Sequence, residues 1–333
     1  MEVTLNAGAL EGWAPIRLLW DGPEASVDWC RVATGGFSEP FFDQSVEKCL
    51  RHPFNQLFLR RTPIEVLSDR QRASAGLAPR GFVFHLSRCG STLVAQSLVA
   101  LPRTVVLAEP DPIHWVLRSA PEHPEVTPDR QIAWLQSVVA ALGQRWRGNE
   151  TSLFIKFDAW SIVDLPLIRQ AFPRVPWIFV YRDPVEVIVS HLRRRGSQVV
   201  PSAYGIRLLG VDAGAAARMP PEEYCARVLA RICEAALAGY DGREALLLEY
   251  RQLSDECWPM VLDFLRADCS SDDLARVRRQ AQFDAKNPSV RFADDVAEKN
   301  REASALVREM AEQWVMPSYR RLESLRTGRA ALQ

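Results

Sequence analysis

Apolar and polar positions change rhythm along the chain. From residue 81 onward, short apolar runs alternate with longer stretches of helical periodicity. FVFHL (82–86), TVVLAE (104–109), SLFIKF (152–157), WIFVYR (177–182) and EALLLEY (244–250) read as strands. STLVAQSLVAL, the stretch 129–146, LPLIRQAF, PVEVIVSHLRRR and YCARVLARICEAALAGY read as the helices between them. In the second of these, Ile132, Leu135, Val138, Val139 and Leu142 fall on one face. CWPMVLDFLRA and most of 294–327 continue the helical pattern after the last strand. Strands separated by helices predict an α/β fold, a parallel sheet flanked by helices. The Gly-, Pro- and Ala-rich stretch 196–221 reads as a loop.

The first 78 residues have another texture, with short mixed segments such as APIRLLWDG and VDWCRV. Phe41, Val46, Cys49 and Leu50 suggest one amphipathic helix there. ASAGLAPRG (73–81) reads as a linker. The expected organisation is a small N-terminal accessory region, 1–78, and an α/β domain, 79–333.

Composition narrows the class. Lys+Arg and Asp+Glu balance at 41 each, so no overall basic field invites nucleic acid or acidic membranes. Seven cysteines without a C-x-x-C pair predict neither a disulfide framework nor a zinc site. The N-terminus lacks a basic region followed by an apolar run, and no apolar stretch is long enough to span a membrane. A cytoplasmic location is therefore expected. Only four residues are lysines (Lys48, Lys156, Lys286 and Lys299), so a lysine near a motif stands out.

Two motifs carry chemistry. HLSRCGSTLVAQS (85–97) joins a strand to a helix through Arg88, Cys89, Gly90, Ser91 and Thr92. Unpaired amides at a helix N-terminus bind anions, Gly90 permits close approach, and Ser91, Thr92 and Arg88 add donors. The Walker pattern requires Gly, four residues, then Gly-Lys-Ser/Thr. Here His85 stands at the first glycine and no lysine follows Gly90, which disfavours a metal-dependent NTPase. The plain alternative is an ordinary strand–helix turn. In VYRDPVEVIVSHLRRR, Arg182 stands at the C-terminal edge of a buried strand, and Ser190 lies eight residues on. The two are placed to meet one anion. Otherwise Arg182–Asp183 is a surface pair.

Together the motifs resemble the sulfotransferase family over roughly residues 80–325. Members move a sulfuryl group from 3′-phosphoadenosine 5′-phosphosulfate (PAPS) to a hydroxyl or amine, leaving PAP. The resemblance rests on Arg88, Gly90, Ser91 and Thr92, then Arg182, Asp183, Pro184 and Ser190, with 94 residues between the arginines. It implies a P-loop NTPase-like fold, a loop that holds the 5′-phosphosulfate, and a 3′-phosphate on Arg182 and Ser190. It further implies metal-independent transfer to a small-molecule or glycan acceptor. Arginine at 88 is closer to the carbohydrate, tyrosyl-protein and bacterial branches, which place a catalytic glutamate where Glu109 stands. Glu109 is thus the expected base; its plain alternative is a helix cap with Asp111. The cytosolic branch carries Lys-x-His where this chain has Lys156-Phe-Asp158, so Asp158 is a second candidate. Lys156 would contact the sulfuryl or bridging oxygens, or simply pair with a carboxylate. Tyr250 resembles a tyrosine near the nucleotide, although Arg251 replaces the acidic residue that usually follows. AKNPSVRF, with Lys286, Ser289 and Arg291, would be the late basic loop. The run Arg193–Arg195 would help the 3′-phosphate or form a solvated face. His85, His114 and His191 lie near the motifs but are not expected bases. Competing readings are a P-loop nucleotide or small-molecule kinase and a non-catalytic nucleotide-binding protein.

Overall fold

The computed structural model describes residues 10–21, 24–32, 35–37, 39–283 and 295–330. Among these residues eight strands form two sheets: β1 (Trp13–Asp21), β2 (Glu24–Arg31), β3 (Arg60–Pro63), β4 (Pro79–His85), β5 (Thr104–Ala108), β6 (Ser152–Lys156), β7 (Trp177–Tyr181) and β8 (Ala245–Glu249). The main sheet has order β5-β6-β4-β7-β8 and every pairing in it is parallel. β5 to β8 are buried along their whole length, as befits strands covered on both faces. The chain leaves β4 for one edge, returns through β6 and crosses to β7 on the other side. That reversal over β4 opens a crevice at the C-terminal strand ends, where ligands bind in doubly wound sheets.

The N-terminal region holds more order than its sequence suggests. β1, β2 and β3 form an antiparallel sheet. Its apolar side continues the main core, so Trp13 and Trp29 share one cluster with Phe84 and Trp177. β1 packs on the helices Asp111–Glu122 and Pro128–Leu142. Gln144 clamps the start of β1, accepting from the Gly12 amide at 3.0 Å and donating to the Trp13 carbonyl at 2.7 Å. The expected amphipathic helix is present as Phe42–Leu50, with Phe41 just before it. The linker is anchored at one point: Leu77 is buried and its amide donates to the Gly143 carbonyl at 2.7 Å. At Gly76 (φ 66°) a Cβ would stand 2.3 Å from the Ala140 carbonyl oxygen.

The expected loop 196–221 is instead largely helical. It contains Ala203–Leu209 and Ala213–Arg218, whose first turns are capped by the side chains of Ser202 and Asp212. The cap residues and the alanine run outweigh the Gly and Pro content. No helix among the described residues is long and apolar enough to cross a membrane.

Candidate active site

Each of the five parallel strands ends at, or one residue before, a residue that lines one cleft. β4 ends at His85 and runs into the loop that holds Arg88 and Gly90. Glu109 follows β5, Lys156 closes β6, Arg182 follows β7 and Tyr250 follows β8. The cleft measures about 830 Å³ and takes in His85, Arg88, Cys89, Gly90, Ser91, Thr92, Glu109, Lys156, Asp158, Arg182, Ser190 and Tyr250. All the sequence-derived site residues that fall within the described chain therefore meet here. Lys286 and Arg291 lie outside the described residues.

The loop after β4 is wound left-handed at Ser87 (φ 73°), Arg88 (φ 50°) and Gly90 (φ 85°). Positive φ at non-glycine residues is costly and is retained where surrounding contacts impose it. Those contacts are visible. His85 Nδ1 accepts from the Ser87 amide at 3.0 Å, and Cys89 Sγ reaches the Val180 carbonyl on β7 at 3.0 Å. The Arg88 guanidinium donates to the Arg194 carbonyl at 2.7 Å. Cys89 thus points into the core and offers only its backbone to a ligand. At Gly90 a Cβ would stand 2.5 Å from Leu253 Cδ1 and 3.1 Å from the Tyr250 ring. The helix Ser91–Val99 begins immediately after, with Ser91 and Thr92 in its first turn.

A charged cluster lies beside the loop. Lys156, 1% exposed, donates to Glu109 Oε1. His85 Nε2 stands 3.1 Å from the Phe157 carbonyl and 3.3 Å from Glu109 Oε1. Because Nδ1 accepts from Ser87, the ring proton sits on Nε2. Burial keeps His85 neutral. Burial would raise the Glu109 carboxyl too, but the Lys156 ammonium and the His85 contact outweigh it and hold Glu109 well below the usual carboxylate range. Asp158 goes the other way: burial and the Glu109 charge push it up to about 8. The two carboxylates therefore differ at neutral pH, with Glu109 ionised and Asp158 protonated. Glu109 also has positive φ, 57°, and its amide donates to the Lys156 carbonyl at 2.7 Å. It is held at the strand end and does not cap the next helix, which has no side-chain cap bond.

Across the cleft, Arg182 is 3% exposed. Its Nε donates to Glu186 Oε2 at 2.5 Å and its NH2 to Asp295 Oδ1 at 2.6 Å. Its guanidinium lies 3.9 Å over the Tyr250 ring. The reading of Arg182–Asp183 as a surface pair does not hold, since Asp183 instead caps the helix Pro184–Arg193. Of the arginine run, Arg193 pairs with Glu298 and Glu302, while Arg194 and Arg195 line the cleft. Residues that escaped the sequence analysis include His85 as a partner of Glu109, Phe41 and Asp295 on the cleft wall, and Lys299 paired with Asp295. Lys299 Nζ binds Asp295 Oδ2 at 2.7 Å. The rarity of lysine was the available signal, because two of the four, Lys156 and Lys299, are buried here.

A second cavity of about 500 Å³ lies between β1, the helix Phe42–Leu50 and the helix Asp111–Glu122. Its walls include Leu18, Trp20, Leu50 and Trp115. Asp43 lines both spaces, and Phe41 and Phe42 separate them, one facing the cleft and the other the cavity.

No family model matches the chain. No curated protein matches it either. Among solved structures, it is similar to sulfotransferase STF9 from Mycobacterium avium (13% identity, 72% of this chain and 77% of that one, TM-score 0.43). It is also similar to sulfotransferase STF1 from Mycobacterium tuberculosis H37Rv (16%, 74% and 82%, 0.40). A third is the sulfotransferase domain of the Synechococcus PCC 7002 olefin synthase (16%, 75% and 94%, 0.40). Likenesses this distant do not assign a reaction, which has to be argued from the site.

Proposed function

We propose that the chain is a sulfotransferase that moves a sulfuryl group from PAPS to a hydroxyl or amine. One observation carries the reading: the phosphate loop and the pair Arg182–Ser190, distant in sequence, line one cleft. A phosphate loop alone suits many phosphate esters. A second anion site across the same cleft suits a nucleotide that carries phosphates at both ends. Tyr250, under the Arg182 guanidinium and against Gly90, links the two ends.

In this reading the backbone of Cys89–Thr92, the Ser91 and Thr92 hydroxyls and Arg88 hold the 5′-phosphosulfate. Arg182 and Ser190 hold the 3′-phosphate. The acceptor oxygen or nitrogen attacks sulfur. The bond from sulfur to the 5′-phosphate oxygen breaks, and that oxygen keeps the electron pair. Glu109 takes the acceptor proton, which an ionised carboxylate can do and the protonated Asp158 cannot. When Lys156 turns from Glu109 toward the sulfuryl oxygens, it stabilises charge there and leaves Glu109 more basic. Arg88, Lys156 and the loop amides supply the positive field that a metal ion supplies in Walker-type sites, so the reading requires no metal. The second cavity would take the acceptor body, and its Trp20, Leu50 and Trp115 walls suit an alkyl, aromatic or sugar-ring face. None of the seven cysteines forms a disulfide, in keeping with a cytoplasmic setting.

Calorimetric titration with PAP, with and without Mg²⁺, and with ATP tests the proposal. Metal-independent PAP binding and no comparable ATP binding is expected. Preference for Mg-ATP would replace it with a kinase reading.

A further inference from the structure

We infer that Asp295 is an internal stand-in for the donor's 3′-phosphate, and that Lys299 is a phosphate ligand of the same subsite. The name of the phosphate rests on the sulfotransferase reading; the anion site itself does not. Two nearly buried cations converge on one carboxylate. Arg182 takes Oδ1 at 2.6 Å, and Lys299, 4% exposed, takes Oδ2 at 2.7 Å. One oxygen for each cation is a pattern that a phosphate monoester reproduces. The second acid on Arg182, Glu186, differs in kind. It is 1% exposed and lies within reach of Arg251 at 3.4 Å and Asn300 at 3.5 Å, so it is fixed in the protein. The Asp295 side chain is 36% exposed and lines the cleft. It is the one member of the cluster with room to leave.

Buried cations without a counter-charge are unfavourable; Arg182 keeps Glu186, but with Asp295 displaced Lys299 and the second face of Arg182 need another anion. Binding at this subsite is then an exchange of anions. A dianionic phosphate can displace one carboxylate, whereas a monoanion gains little by doing so. Asp295 lowers affinity for the donor and its product alike, and it screens the subsite against stray anions.

Asp295→Asn keeps the shape and removes the charge. Calorimetry on this variant and on the wild-type chain, with PAP, AMP and inorganic phosphate, tests the inference. We expect Asp295→Asn to bind PAP and inorganic phosphate about tenfold more tightly, the scale of one charge-assisted hydrogen bond, and AMP with unchanged affinity. Lys299→Met should weaken PAP by a similar factor and leave AMP unchanged. Affinities for PAP and phosphate within about twofold of wild type in Asp295→Asn would overturn the inference, as would an equal gain for AMP. If the wild-type chain binds neither nucleotide, the donor reading falls. The phosphate arm still decides whether Asp295 occupies an anion site, whatever becomes of Lys299→Met.

Discussion

Lys156 reaches Glu109 because the parallel register of β5 and β6 sets Ala108 beside Lys156, which brings the next residue onto the ammonium. A buried lysine and the proposed base are therefore one unit. Glu109→Gln should lower kcat by roughly 10²–10⁴-fold while PAP affinity changes by no more than a few-fold. Full turnover in that variant would remove Glu109 from the chemistry. Lys156→Met should also abolish turnover, since it removes the cation proposed to serve the sulfuryl oxygens.

The two carboxylates make different predictions for pH. Glu109 lies well below the usual range, so kcat/KM should be level across neutral pH. A rise that tracks deprotonation near about 8 would move the base role to Asp158.

Asp158 should also mark the pH dependence of stability. Its folded-state pKa is raised to about 8, above its unfolded value near ~3.9. Between these values the folded state binds more protons, so the Asp158 contribution to stability falls as pH rises and levels off above about 8. Asp158→Asn cannot lose a proton. Its urea midpoint should gain on wild type steadily from mildly acidic to mildly alkaline pH. A constant difference between the two proteins would rule out the raised pKa.

Gly90→Ala would force a side chain onto Leu253 and Tyr250 at a left-handed φ. Loss of PAP binding with a fall in stability of about 1–3 kcal/mol is expected. Calorimetry and urea unfolding measure the two effects. Unchanged PAP affinity would mean that the loop is not the phosphate cradle.

Trp115 is 37% exposed on the wall of the second cavity, so Trp115→Ala should fold normally. Once an acceptor is found by screening with PAPS, this variant should raise its KM several-fold with PAP affinity unchanged. An unaltered KM would place the acceptor elsewhere.

Much of this site was legible in the sequence, and the reasons for success and failure differ. The five apolar runs located the strands because parallel strands are buried on both faces and leave no polar alternation to misread. All five runs were read one residue too far at their C-terminal ends, and the extra residues are Leu86, Glu109, Phe157, Arg182 and Tyr250. A strand's last residue and the first residue beyond it look alike in sequence, yet Glu109, Arg182 and Tyr250 line the cleft whereas Leu86 and Phe157 turn into the core. The N-terminal sheet was illegible because β1 buries one side against the helices Asp111–Glu122 and Pro128–Leu142, far later in the chain. Asp295 and Lys299 were missed because no local pattern marks a carboxylate that sits on another element's arginine.

The placement of β1 has a consequence for how the protein can change. The strand that walls the second cavity is the strand whose buried face completes the core and whose first turn is clamped by Gln144. If the cavity takes the acceptor as proposed, substrate range and folding are written into the same few residues. Mutations that reshape the cavity from the β1 side will draw on the stability margin more than a change at the exposed Trp115. On that reading, new acceptors are more readily acquired through the helices than through the sheet, and a library built to shift specificity should be biased accordingly.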